Sequence, residues 1–261
     1  MRRVVVTVLV LLFAAGVLFF AYGRAVWFPM YLRLAGVRTV GEAVAGFGPA
    51  VRSRLRGYCG AAGVTYPPKR IALLVFKRER RVAVWAKSSE SDRWRYLRAY
   101  PVLAASGTAG PKLREGDRQV PEGVYRISWL NPNSSYHVSM KVDYPNAFDR
   151  AMARQEGRTT LGGDIFIHGK AVSIGCVAIG DRAIEELFTL VADAGHERVQ
   201  VVIAPNDLRV AGAVMHDGSP RWLAPLYASI AAALASFPLS MEADALLDVR
   251  GAEKTKVRRV K

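Results

Sequence analysis

The stretch "RIALLVFKRERRVAVWAKS", residues 70–88, sets two apolar runs on either side of the charged centre "KRERR". Their alternation and β-branched content predict two strands joined as a hairpin. Downstream, "RWRYLRAYPVLAAS" (93–106) adds a third strand. "GTAGPKLREGDRQVPEG" (107–123) is too rich in glycine, proline and charge for regular structure, and is expected to be an exposed loop. "VYRISWL" (124–130) and "SSYHVSMKVDY" (134–144) read as strands on either side of a turn at "NPN" (131–133). "LGGDIFIHG" (161–169) is a strand running into His168, and "VQVVIAP" (199–205) is a buried strand. Between them, "AIEELFTLVADAG" (183–195) puts Ile184, Leu187, Phe188 and Val191 on one helix face, stopped by Gly195. The regular βα alternation of a doubly wound sheet is missing. The expected class is therefore α+β, a mainly antiparallel sheet with flanking helices.

Helices lie outside this strand-rich middle. "TVGEAVAGFGPAVRSRLRGYCGAAGV" (39–64) reads as an amphipathic helix broken near "GFGP" (46–49), and "TYPPKR" (65–70) stops it. Val51, Leu55 and Cys59 recur at i, i+4 and i+8, which makes Cys59 a buried hydrophobe on the apolar stripe. "WLAPLYASIAAALASFPLSM" (222–241) is uncharged but alanine-rich, with Pro225 and Pro238, and reads as a helix packed on the domain rather than a span. The tail "EKTKVRRVK" (253–261) reads as a solvated basic segment.

The N-terminus speaks to compartment. "MRR" precedes an uncharged run of 20 residues, Val4 to Gly23, which as a helix would be about 30 Å long and reach across a bilayer core. A cleaved signal has a shorter apolar region of roughly 7–15 residues and a small-x-small exit. "AYG" before Arg24 is a poor exit, so an uncleaved signal anchor is favoured over cleavage, with the body of the chain exported. Over 261 residues, 37 lysines and arginines face 22 acids, a net charge of +15. That balance suits a polyanionic partner such as anionic lipid or an acidic wall polymer. No zinc-finger spacing, phosphate-cradling glycine loop or base-stacking basic strand is present, so nucleic acid is not expected as a partner.

Only two cysteines occur, and one closes "IFIHGKAVSIGC" (165–176). A cysteine nucleophile needs a base within reach and backbone N–H groups for the developing oxyanion. His168 ends a strand, Gly169 permits a sharp turn, and Gly175 lets the backbone fold tightly beside the Cys176 thiol. Ser173 offers a hydroxyl to orient a ring or ligand. Spacing alone leaves other readings open. A merely packed loop is one; a zinc site from His137, Asp164, His168 and Cys176 is another, although no CxxC or HxxxH supports it. A Cys59–Cys176 disulfide is disfavoured by the helical stripe. His196 and His216 sit in polar loop contexts and read as solvated.

"HGKAVSIGC" resembles the active-site signature of the L,D-transpeptidase catalytic domain (YkuD-type) family: a histidine-glycine, a spacer, then serine-x-glycine-cysteine. "GPKLREGDRQVPEGVYRI" is similar to the family element that ends in a proline-x-glycine turn and enters a strand. "LNPNSSYHVSMKVDYPNAFDRA" and the short spacer before "SIGC" resemble the YafK-like branch. The likeness spans about residues 65 to 205. It implies a division into an N-terminal anchor or signal (1–24), a helical region (25–66), the catalytic domain (67–210) and a helical extension with basic tail (211–261). It implies Cys176 as acyl-accepting nucleophile and His168 as base, with Ser173 and Gly175 shaping the site. The amides near Gly175 and Cys176 would form the oxyanion hole. Gly169, Lys170, Tyr144, Asn146 and His137 would line the substrate cleft. No cofactor or metal is implied. The implied substrate is a peptidoglycan stem peptide, with a wall-bound lipoprotein as a further partner. The implied place is the periplasmic face of the inner membrane, or the periplasm if the N-terminal segment is cleaved. The thioester would pass to an amine, or to water in a hydrolase; a non-catalytic wall-binding protein is the alternative of another class. Two departures stand out: Ile174 replaces a histidine and Ala178 an arginine or asparagine, the second a partner for substrate carboxylate. Lys170, Arg126, Lys112 and Arg114 are the candidate substitutes.

Overall fold

The charged centre of the 70–88 stretch folds it back on itself in the computed structural model, which describes residues 2–215 and 218–239. Strands β1 (Arg70–Phe76) and β2 (Arg81–Lys87) pair antiparallel, from Arg70↔Lys87 to Phe76↔Arg81. The other strands are β3 (Arg95–Pro101), β4 (Gly123–Ser134), β5 (His137–Val142), β6 (Phe166–His168), β7 (Val177–Ala178) and β8 (Val199–Ala204). They form one sheet in the order β3-β2-β1-β8-β4-β5-β6-β7. Pairs β1–β8 and β6–β7 run parallel and the rest antiparallel, so the sheet is mixed and the class is α+β.

The helices explain why β1 is apolar throughout. Ile71, Leu73 and Val75 face a core shared with α3 (Val40–Ala61) and α5 (Asp181–Ala194). Ala72, Leu74 and Phe76 face a second core closed by α6 (Leu223–Leu234). A strand covered on both faces has no reason to alternate with polar residues. Helix α4 (Ala147–Gln155) follows β5, and α1 (Arg2–Tyr22) and α2 (Arg24–Ala35) precede α3. Residues 240–241, the basic tail and His216 lie outside the described residues.

Three local expectations are corrected. Helix α3 is not broken at "GFGP": it runs through Pro49, started by a capping box between Thr39 and Glu42. An internal proline costs about 3 kcal/mol. Val44, Val51 and Leu55 are buried from this helix, each contributing roughly 1.5–3 kcal/mol, so burial wins. Arg52 adds a two-pronged pair to Asp193 at 2.7 Å, and Arg54 reaches the buried Glu186 at 2.7 Å. The stripe reading of Cys59 holds, since it is buried and free.

"NPN" is not the turn: β4 continues through Asn131, Pro132 and Asn133, and reverses at Ser135–Tyr136. The pairing shifts register between Asn131 and Ser134, and such a bulge tolerates a proline. Arg38 caps the irregularity, its N–H donating to Asn133 Oδ1 at 2.9 Å and its carbonyl accepting from Asn133 Nδ2 at 2.7 Å. The 107–123 loop has no helix or strand before Gly123, but it is not wholly exposed. Lys112, Val120 and Glu122 are buried. Lys77 Nζ donates to the carbonyls of Gly110 (2.8 Å) and Val120 (3.0 Å) and pairs with Glu122 at 2.9 Å, which pins the loop to the β1–β2 turn.

Candidate active site

Strand β6 is three residues long, lies between β5 and the edge strand β7, and ends at His168. Its neighbour β7 runs parallel, with Ile167 opposite Val177 and His168 opposite Ala178, so Cys176 stands one residue before β7 on the same side of the molecule. Both side chains line one cleft of about 490 Å³. The chain between them turns within a few residues. Gly169 is needed there because a Cβ would meet Asp181 Oδ1 at 2.6 Å and the Tyr136 carbonyl at 2.7 Å. Gly175 is needed because its φ is +128°, a conformation that L side chains avoid.

The turn is knotted by Ser173. Its Oγ accepts from the amides of Gly175 (3.3 Å) and Cys176 (3.1 Å), and its hydroxyl donates to the Cys176 carbonyl at 2.7 Å. These are the amides the resemblance assigns to the oxyanion, and here they hold the serine.

The His168 ring is held in one tautomer. Nδ1 of His168 lies 2.6 Å from the Gly169 carbonyl, and a carbonyl only accepts, so Nδ1 carries the proton and Nε2 keeps its lone pair in the neutral ring. Burial pushes the His168 pKa below its ordinary 6.5, opposed by that hydrogen bond. The Tyr136 ring lies against the imidazole at 4.7 Å between centroids. Burial pushes the Cys176 thiol up, opposed by a hydrogen bond from the Phe166 backbone and by the Lys112 charge. The Sγ donates to the Asp164 carbonyl at 3.6 Å. Both shifts favour the uncharged forms, a thiol and a neutral imidazole.

The other expected site residues are placed elsewhere. Lys170 pairs with Asp181 at 2.6 Å, and its N–H donates to the same carboxylate at 2.9 Å. His137 turns to Glu185 at 2.8 Å, away from Asp164, His168 and Cys176, so the four residues of the zinc alternative do not converge. Tyr144 is buried with its hydroxyl 3.4 Å from the carbonyls of Lys112 and Leu161. Asn146 caps α4, accepting from the Asp149 N–H at 3.1 Å. Of the two departures, Ile174 is 76% exposed on the cleft rim, while Ala178 is fully buried and bridged to Ala104. Of the four candidate substitutes only Lys112 lines the cleft.

Sequence reading missed Tyr136, Ser139 and Arg118, which also line it, as does Asp164. Ser139 lies opposite His168 across the β5–β6 pair, so strand register would have found it. The other two, Tyr136 and Arg118, sit in a turn and a loop and carry no periodic signal.

The profile of the L,D-transpeptidase catalytic domain, YkuD, matches residues 70–203, slightly more than half of the chain. YafK of Escherichia coli strain K12 is 36% identical over 151 residues, 56% of this chain and 58% of the relative, so the chain spans under two thirds of that protein's length. Among solved structures, the helical cell shape determining protein Pgp2 from Campylobacter jejuni gives a TM-score of 0.43 at 22% identity, covering 58% of this chain and 55% of Pgp2. Bd1075 of Bdellovibrio bacteriovorus gives 0.38 at 22%, covering 54% and 50%. With all of its sheet but the last residue of β8, its cleft and its histidine-to-cysteine turn inside the matched residues, this chain belongs to the L,D-transpeptidase catalytic domain family.

Proposed function

We propose that the chain is a peptidoglycan-modifying cysteine acyltransferase. The carrying observation is that Cys176 and a neutral His168 with a free Nε2 share one cleft at the β6–β7 edge. The thiol proton passes to Nε2 as sulfur attacks a stem-peptide carbonyl. The C–S bond forms, the amide C–N bond breaks, and the departing amine takes the proton from the imidazolium. An incoming amine then attacks the thioester, giving a new amide and restoring the thiol. Family chemistry makes the attacked carbonyl that of the L-centre of a diamino acid, with terminal D-alanine leaving. Ser173 keeps the turn rigid. Its two amides would serve the oxyanion once the hydroxyl shares or releases them.

A second outcome has its own support. The residues between Gly169 and Ile174 form a short bend with Ala171 and Val172 exposed, a spacer that offers little cover for a thioester. Hydrolysis would then release peptide or lipoprotein from the wall; a site closed to water would favour transfer. Helix α1 supports a place for the reaction. Its 18-residue window Arg3–Phe20 has a mean hydropathy of 2.6 and no part buried, which suits a single anchor holding the domain on the periplasmic face.

Sacculi and purified muropeptides incubated with the full chain, and with Cys176→Ala as control, give the test by mass spectrometry of the products. New crosslinks lost in the variant establish transfer. Released peptide or lipoprotein, equally lost, establishes hydrolysis. No product from either chain, with sacculi still bound, would leave a wall-binding protein without catalysis.

A further inference from the structure

The cleft beside Cys176 needs a cation if it is to hold a peptide by a free carboxylate, and its walls offer two. Lys112 is nearly buried, and its Nζ is already committed to Asp117 at 2.5 Å and to the Arg114 carbonyl at 2.8 Å. Arg118 is exposed on the cleft wall and, among the described residues, makes no side-chain hydrogen bond or ion pair. Lys170 is spent on Asp181, and Arg114 lines a different depression with Asp117 and Arg158.

The backbone of Arg118 is held where its side chain is free. Asp117 accepts from the amides of Leu113 (2.9 Å), Arg114 (3.0 Å) and Gln119 (3.0 Å). The Gln119 amide group donates to the carbonyls of Thr108 and Gly110, each at 2.8 Å. Between these fixed neighbours Arg118 takes the left-handed conformation, φ +55°. Its Cα and carbonyl carbon come within 4.0 Å of where a Gly175 Cβ would stand, so it abuts the turn that carries the nucleophile. Because the backbone here is already held, binding at the unclaimed guanidinium orders the side chain alone, and its planar fork limits the loss per hydrogen bond formed.

Resting on the acyl-transfer reading above, we infer that Arg118 is the substrate-positioning residue that binds a free carboxylate of the acyl-donor peptide. Its fork of N–H donors matches a carboxylate two-pronged. Two carboxylates flank the attacked amide, the C-terminal one and the side-chain one of the diamino acid; these are the ones proposed, and the test separates them.

Binding is measured by calorimetry on the full chain carrying Cys176→Ala, so that no turnover intervenes. Three stem tetrapeptides are used: the free acid, its C-terminal amide, and the analogue amidated on the diamino-acid carboxylate. Arg118→Gln is expected to weaken the free acid about 10-fold, with Arg118→Lys between. The loss should vanish with whichever amide lacks the recognised carboxylate. An unchanged Kd in Arg118→Gln, or an equal loss for all three peptides, overturns the assignment. The same substitution is then read in the chain with Cys176 intact. A parent that binds but never acylates overturns the reaction and leaves the binding result standing. A parent that acylates while Arg118→Gln alters neither Kd nor rate overturns Arg118 alone.

Discussion

His168 and Cys176 have ionisation fixed by burial, which bears on both rate and stability. Because the imidazole stays neutral below its ordinary 6.5, the acid limb of kcat/KM should fall below pH 6.5, and preformed thiolate should be scarce at neutral pH. Stability follows the same sign. The folded pKa is depressed, so the contribution is full above 6.5 and is lost as pH falls from there. Asp149 acts oppositely: burial raises its carboxyl to about 6, so its contribution fades as pH rises from 3.8 through 6. The readout is therefore a difference, with His168→Gln expected to lose less stability than the parent between pH 7.5 and 5.5. Equal losses in thermal melts would show that the imidazole is not held neutral. Of the residues in this site, His168, Ser173, Gly175 and Cys176 were legible because they share one short segment. Arg118 was not, since in sequence it is one charge in a charged loop and only the fold leaves it unpaired.

At the scale of elements, buried charge does the joining. Glu186 on α5 is 1% exposed and accepts from Arg54 of α3 (2.7 Å), Arg98 of β3 (3.0 Å) and the Tyr100 hydroxyl (2.7 Å). Removing a partner from such a cluster leaves groups stranded, at a cost of about 3–5 kcal/mol for a fully buried pair. Both arginines keep about a third of their side chains exposed, so Glu186→Ala should cost near 3 kcal/mol in chemical denaturation. A loss below about 1 kcal/mol would place the docking of α3 on apolar contacts alone. The β1–β2 hairpin could be read from sequence because its partners are adjacent. The continuity of α3 through Pro49 and of β4 through Pro132 could not. The first depends on a core built with α5, and the second on Arg38, 95 residues from Asn133.

The whole molecule sets a basic domain behind an apolar helix. The whole chain carries a net charge of +15, and Trp27 stacks on Phe20 at 5.0 Å where the apolar helix gives way to α2. The full chain is expected to stay with membranes after an alkaline wash, and a chain lacking residues 1–23 to be released. Release of both would refute the anchor. The central claim, that Cys176 becomes acylated by a stem peptide, is tested most directly by intact-mass measurement after brief incubation with a stem tetrapeptide and acid quenching. The parent chain should gain the mass of the peptide less its departing residue, and Cys176→Ala should gain nothing. A parent that binds the peptide yet never gains that mass, or a variant that gains it equally, would contradict the account.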